Sequence, residues 1–525
     1  MDIAVEPARL ESVSPATGAV LGSVLVTPPK EVAAAVEGAA NAQRLWRSLR
    51  VSDRARYMQR AAQAVVDEAD ELTDLLCREQ GRPRAETEIM ELVPAIETLQ
   101  WLAGHGPKIL SGERLGFARA LHPVKRGRWT YEPLGVVGVL GPAAEPFATP
   151  IGDVAVALIA GNGVVFKPSP YACLAGERIA RVFARAGLPE GLLRVVHGHA
   201  DTGSALVNAR VAQVRFTGTA DAGRAVGEAC ARGVKRAVLE MGGKDVAIVC
   251  ADADLERAAR GVVWAAFANA GQCGGSVERA IAVREIHADF LAAVCNGACA
   301  LSVGDPADPA TEVGPIVSRA RADRVRELVD EAVAGGATVE CGGAGEGTYV
   351  APVVLTGVRD DMRIAREDVP GPVLIVSEAA DEDGAIAESN RISLGLGASV
   401  WTADRYKAQR IATELRVGMV WVNDHLVTRA APEVPWGGVR GAGIGRARGA
   451  IALRTCAEPK VVTWDPPVGR PWWWFPYDAG LVKAGRTVAR MRSARDADRE
   501  AGLKEGALPT LRVAARALRR GSRSA

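Results

Sequence analysis

The chain of 525 residues is 48% hydrophobic and 24% charged, a globular balance that excludes a disordered or collagen-like protein. Its formal net charge is only +2, from 64 basic and 62 acidic residues, so the molecule as a whole lacks the basic excess of a nucleic-acid binder. That balance is uneven along the chain: residues 466–525 carry 13 Lys and Arg against 5 Asp and Glu. No run of ~18 consecutive apolar residues offers a membrane-spanning helix. The opening segment MDIAVEPARLESVS bears Asp2 and Glu6 and has no apolar run of signal-peptide length. Nine scattered cysteines do not form a secreted disulfide framework, and a cytoplasmic protein is expected. Cys295 and Cys299 share a helical i, i+4 spacing, but no neighbouring residue in the sequence completes a zinc pattern, and no metal is expected.

In chain order, residues 31–104 read as successive amphipathic helices, with apolar Val32, Val36, Leu45 and Leu49, then Met58, Ala62, Val65 and Val66, then Leu72, Leu75 and Leu76. From Arg128 the pattern changes to short apolar runs bounded by Gly and Pro. Residues 135–140, 163–168 and 214–219 read as buried strands, with helices predicted over 174–186 and 222–232. A second set follows Glu240: a strand over 245–249, a helix over 255–268, a strand over 280–283, and helices over 287–300 and 319–334. Strands over 373–376, 398–401 and 418–423 enclose a helix over 405–415. Apolar strands alternating with helices predict an α/β fold with parallel sheets covered on both faces.

Four segments carry chemistry. GVVFKPS (163–169) delivers Lys167 at the carboxyl end of a strand, where α/β sheets bind nucleotides, with Ser169 two residues on. FTGTADAG (216–223) is a strand entering a glycine-bounded turn and a helix, where Gly218, Thr219 and Gly223 allow a phosphate to approach. LEMGGK (239–244) and FANAGQCGGSVER (267–279) complete the set. In this order and spacing, and with EPLGVVGVLGP (132–142), LGLGASVWT (394–402) and PWGGVRGAGIGR (435–446), the chain resembles the aldehyde dehydrogenase superfamily over roughly residues 10–464.

The resemblance implies a Rossmann-like cofactor domain (1–118 and 133–240), interlocked with a catalytic α/β domain (241–445). It also implies a bridging element (119–132 and 446–464) that builds homodimers or homotetramers, as a hairpin near 119–132 and a late strand near 450–464. Residues 465–525 have no counterpart in it. The implied activity is NAD- or NADP-dependent oxidation of an aldehyde to an acid. In that chemistry a thiolate attacks the carbonyl, hydride leaves to nicotinamide, and water activated by a glutamate releases the acid. Carried over, Lys167, Ser169, Gly218, Thr219, Gly223, Gly242 and Asp368 form the expected cofactor set. Pro170 stands where NAD-preferring members often place a glutamate, which leans toward tolerance of a 2′-phosphate. Glu240, beside Gly242 and Gly243 in an expected largely apolar cleft, matches the general base, its pKa raised toward neutrality.

The nucleophile motif is broken. Gly271 and Gln272 anchor one side and Arg279 the other, which puts Gly274 at the cysteine position and Cys273 just before it. The asparagine that helps hold the oxyanion is Ala144, an aromatic pocket wall is Glu145, and the ribose-orienting glutamate is Asp368 with Pro370 near it. Trp436 is expected to line the pocket, and Glu145 to favour a polar or cationic substrate. On an extended segment, adjacent side chains point to opposite sides, so a one-residue shift would aim the Cys273 sulfur away. Gly274 and Gly275 loosen that rule. Two readings stay open: Cys273 as a shifted nucleophile, or a silent dinucleotide-binding relative that acts as a scaffold or partner subunit. The closing segment packs Trp472, Trp473, Trp474, Phe475 and Tyr477 together, then basic stretches over 479–495 and 508–520. There Leu508, Leu511, Ala515 and Leu518 share a helical face opposite Arg512, Arg516, Arg519 and Arg520. This fits peripheral membrane contact, or packing on a neighbouring subunit.

Overall fold

The computed structural model describes residues 8–515 apart from 118–121, 123, 344, 466, 468–470, 472 and 476. Contacts divide the chain into two compact units, Met1–Leu110 with Glu132–Glu458, and Ser111–Tyr131 with Pro459–Ala525.

The first unit holds both α/β sets. Its six-stranded sheet runs in the order Gly443–Ile444, Arg236–Met241, Gln213–Gly218, Val136–Leu140, Gly163–Lys167, Leu193–Val195. All neighbours are parallel except Gly443–Ile444, which pairs antiparallel with Leu239 and Glu240. The chain builds outward from Val136–Leu140 in one direction, then returns to its other side at Gln213–Gly218. That reversal opens a crevice beyond the carboxyl ends of these strands, the usual ligand position in such sheets. Val136–Leu140 and Gly163–Lys167 are buried throughout, as continuous apolar strands covered on both faces should be. Helix Ala148–Ile159 against them is buried along nearly its whole length, and Trp46 of helix Pro29–Trp46 donates its indole N–H to the Leu158 carbonyl of that helix at 2.8 Å.

The second sheet has seven strands in the order Thr338–Cys341, Val353–Thr356, Val373–Ala379, Val277–Val283, Asp245–Val249, Gly397–Trp401, Met419–Val422. Only the edge strand Thr338–Cys341 is antiparallel to its neighbour. The strand expected over 280–283 begins earlier, at Val277. Glu278 and Arg279 hide its start in the sequence, yet both are buried: Glu278 pairs with Lys244, and Arg279 donates to the Lys244 carbonyl at 3.2 Å. Cys341 of the edge strand and Cys295 pack against the same apolar core under this sheet.

In the second unit, Ala457–Trp464, Arg126–Pro133 and Glu113–Arg114 form a three-stranded sheet. The late strand expected near 450–464 therefore begins at Ala457, because Gly449–Thr455 is a helix of the first unit. Helices Ala479–Met491 and Asp496–Ala515 pack together where Gly506 leaves room for Thr487. Leu508 and Leu511 stay exposed. Trp472, Arg516, Leu518, Arg519 and Arg520 lie outside the described residues.

Candidate active site

Two clefts adjoin at the crevice of the six-stranded sheet and share Pro142, Ala143, Thr217, Gly218, Thr219 and Arg321. The larger, of about 670 Å³, is lined by Lys167, Ser169 and Pro170 together with the amino-terminal side of helix Ala220–Arg232. Lys167 is buried, donates to the Pro168 carbonyl at 3.1 Å, and has its pKa pushed down to about 8 by burial, against the pull of Asp201. The Ser169 hydroxyl caps the short helix Pro170–Ala172 by accepting from the Tyr171 N–H at 3.2 Å. Thr219 precedes helix Ala220–Arg232 without a side-chain cap, which leaves the helix amino terminus as an open anion-favouring end. Gly223 does not line the cleft. A side chain there would collide with Met241, so this glycine allows close helix-to-strand packing.

The smaller cleft, of about 110 Å³, brings together Ala144, Glu145, Glu240, Gly242, Cys273, Gly274, Asp368 and Trp436. Residues more than 100 positions apart in the chain thus share one site. Asp368 sits over Gly242, where its Oδ2 lies 2.8 Å from the position a Cβ would take.

Glu240 is not in purely apolar surroundings. Burial and the Asp153 carboxylate raise its pKa to about 8, opposed by Arg215 and Arg448. Arg215 is itself buried on the expected apolar strand, where its Nε donates to Asp153 at 2.7 Å and its Nη2 to the Ala447 carbonyl at 2.9 Å. Glu240 thus stands between the cleft and a buried ionic cluster, whose Asp153 and Arg448 line a separate small cavity with it. Charges survive burial there because they are paired.

The loop that carries residues 273 and 274 is strained and firmly tied. Asn269, Ala270 and Gly271 are consecutive left-handed residues, at φ of 53°, 52° and 71°. For Asn269 and Ala270 this costs energy that the surroundings must offset. Asn269 supplies the bonds: its N–H donates to Glu86 at 2.9 Å, its Oδ1 accepts from Arg82 Nε at 3.1 Å, and its Nδ2 donates to the Ala144 carbonyl at 3.1 Å. Gly271 lies so close to the Gly371 carbonyl that any side chain would collide. Gln272 Oε1 accepts from the Val317 N–H at 2.9 Å.

Beyond Gln272 the chain turns, and the Ser276 N–H donates to the Cys273 carbonyl at 3.0 Å. The alternation expected of an extended segment does not apply to a turn, and Cys273 and Gly274 both border the cleft. A Cβ built on Gly274 meets no atom within 4 Å, so the position faces open space. Cys273 is buried and its Sγ donates to Glu145 Oε1 at 2.9 Å. Burial pushes the thiol pKa up to about 11. Glu145 is not free to receive a cationic substrate either: its other oxygen pairs with Arg429, whose guanidinium stacks over the Trp436 ring with 4.8 Å to the centroid.

Arg82, Glu91, Asp153, Arg215, Arg429 and Arg448 were not legible as site residues. Glu91 pairs with Arg82 at 2.9 Å and accepts from the Ala148 N–H at 2.6 Å, holding the start of helix Ala148–Ile159. It stands in a π-helical turn, Glu88–Leu92, a departure that often marks functional sites.

The aldehyde dehydrogenase family model matches residues 4–462. The betaine aldehyde dehydrogenase of Agrobacterium fabrum is 36% identical over 459 residues, spanning 86% of this chain and 92% of the relative. The 4,4'-diapolycopene aldehyde oxidase of a Methylomonas species is 35% identical, spanning 90% and 88%. Among solved structures, Mycobacterium tuberculosis aldehyde dehydrogenase complexed with NAD+ superposes with a TM-score of 0.83 at 33% identity, covering 87% of this chain and 95% of that one. An E. coli NADP dependent enzyme gives 0.84 at 29% identity, covering 87% and 95%. NAD or NADP is the cofactor these likenesses support. The chain belongs to the aldehyde dehydrogenase family.

Proposed function

We propose that this chain oxidises an aldehyde to the corresponding acid with NAD or NADP, and that Glu240 is the base of the reaction. One observation carries the reading: a cleft of dinucleotide size, beside Lys167 and an open helix end, runs into a smaller one that holds Glu240. The residues of the larger cleft fit the cofactor. A buried ammonium and an uncapped helix amino terminus favour phosphate groups. The cofactor, when bound, supplies hydride acceptance. Glu240 takes up a proton in the smaller cleft, which Asp368 also lines, over Gly242. With Pro170 in place of a carboxylate next to Lys167, the cleft accepts a ribose 2′-phosphate without repulsion.

The rival is a silent dinucleotide-binding subunit, favoured by the engagement of Cys273 with Glu145. Calorimetric titration with NAD and NADP, followed by measurement of reduced nicotinamide over a panel of aldehydes, separates the two. Binding with turnover supports the oxidation. Binding without turnover on any aldehyde leaves the silent subunit, and no binding at millimolar concentration overturns both.

The second unit carries a further proposal. Its exposed Trp474, Phe475, Tyr477, Leu508 and Leu511, in a segment rich in arginine, suit the surface of an anionic bilayer. Flotation with phosphatidylserine vesicles should carry the full chain upward and leave a chain ending at Trp464 behind. Equal behaviour of the two refutes the contact.

A further inference from the structure

A base and an open space face the smaller cleft, and a usable nucleophile does not. Cys273 is the one thiol among the described residues that line it. That thiol is buried, and its proton is donated to a carboxylate that Arg429 holds in place. An attacking sulfur would have to leave this bond and form its anion beside Glu145 in a buried position, where burial outweighs the help of the Gly275 N–H and Arg82. A thiolate is the reactive form, and negative neighbours oppose it.

Ala144 removes the side-chain amide expected to hold the oxyanion that thiol attack creates. Ala144 presents a methyl group. The two strong donors nearest to it, Arg82 Nη2 and Asn269 Nδ2, are both spent on its carbonyl. Nη2 of Arg429 is engaged by Glu145 and by the Thr149 hydroxyl at 3.2 Å. What the cleft does offer is Glu240 and, at Gly274, room into which no protein atom projects.

Room, a base and no nucleophile suit a substrate that already carries the oxygen that an attack would otherwise have to deliver. We propose that the species oxidised is the aldehyde hydrate, a geminal diol, taken up with its hydroxyls in the space beside Gly274 and oxidised with no covalent bond to the protein. Glu240 accepts the proton of one hydroxyl. The carbon–hydrogen bond breaks and its electron pair leaves as hydride to the nicotinamide cofactor, while the oxygen left behind closes a carbonyl. Diol and oxidised cofactor give acid, reduced cofactor and one proton, which Glu240 releases to solvent. No alkoxide adduct of a thiol is formed at any point, so the absence of a side-chain amide at Ala144 and the absence of a thiol at Gly274 have a single cause. Aldehydes with electron-withdrawing groups next to the carbonyl, which are hydrated in water, form the substrate class.

This inference rests on the oxidation proposed above, and its test separates the two. The full chain is incubated with NAD or NADP and with trifluoroacetaldehyde, which is largely diol in water, or benzaldehyde, which is not. Cys273→Ser and Glu240→Gln are run alongside, and intact mass is recorded after exposure to aldehyde and to p-nitrophenyl acetate. The expected result is reduced cofactor from the hydrated aldehyde at a rate at least about tenfold above that from benzaldehyde, retained to within about threefold in Cys273→Ser and lost in Glu240→Gln. The mass of the wild-type chain stays unchanged with either reagent. Loss of turnover in Cys273→Ser, an acyl adduct on Cys273, or equal rates on the two aldehydes overturns the hydrate route and leaves aldehyde oxidation standing. No turnover of any aldehyde by a chain that binds the cofactor overturns both.

Discussion

Gly274→Cys restores a thiol at the position that faces open space. The structure fixes the stability cost as small. A Cβ there meets nothing within 4 Å, and Gly274 is absent from the positive-φ residues, so neither a clash nor a backbone penalty accompanies the change. A change of about 0.5 kcal/mol or less is expected, as for substitutions away from packed features. A sulfur one bond further reaches into the cleft that Glu240 lines, free of the hydrogen bond to Glu145 that occupies Cys273. The variant should therefore acquire turnover of benzaldehyde, together with inactivation by iodoacetamide that the parent chain lacks.

Adding Ala144→Asn supplies an amide at the edge of the same cleft. One correctly placed oxyanion donor is worth about 2.7–4 kcal/mol, or ~10²–10³-fold in turnover, so the double variant should exceed Gly274→Cys by up to that factor. The assay is reduced-nicotinamide formation, with thermal melting to confirm that each variant is folded. A folded Gly274→Cys chain that binds NAD or NADP yet gains neither benzaldehyde turnover nor iodoacetamide sensitivity refutes the placement of residue 274 at the reacting centre.

Other outcomes follow from the buried charges. Because burial and Asp153 raise the Glu240 pKa to about 8 against Arg215 and Arg448, the base form is scarce below that pH. Turnover should climb through about pH 8 and level above it, and a profile flat from pH 6 to 9 would contradict Glu240 as the base. Removing one member of the Glu145–Arg429 pair leaves a buried unpaired charge at a cost of about 3–5 kcal/mol, while the apolar double replacement Glu145→Leu with Arg429→Leu should be nearer neutral. Chemical denaturation of the three variants tests this, and additive losses would refute the pairing. Glu86, accepting from the Asn269 N–H, is raised by burial to about 7, so the folded state holds a proton there that the unfolded chain has released. Stability should fall as pH rises from about 4.5 through 7, and Glu86→Gln should flatten that slope; an unchanged slope removes Glu86 as its source.

The sheets were legible because their strands are apolar runs long enough to declare themselves, such as 136–140, 163–167 and 245–249. The family's glycines and Lys167 marked the crevice. Where reading failed, the cause was a partner distant in sequence. Arg215 looks like an interruption of an apolar strand until Asp153, 62 positions earlier, is set beside it. Glu278 and Arg279 concealed a strand start whose charges Lys244 satisfies. Gly223 has the spacing of a phosphate-turn glycine and also packs against Met241, a contact that no local pattern encodes.

The broken nucleophile motif was visible in the sequence, but its meaning was not. The spacing alone left open both a shifted thiol at Cys273 and a silent site. Three residues that no motif links hold the thiol: Glu145 accepts its hydrogen bond, Arg429 fixes Glu145, and Trp436 carries Arg429. A thiol bound into such a chain stabilises the pocket wall by remaining protonated. To act as a nucleophile it would have to break that wall, leaving Glu145 without one of its hydrogen-bond donors. The open volume at Gly274 and the base at Glu240 require no such break, and so the chemistry this cleft can perform with its walls intact begins with an oxygen the substrate brings.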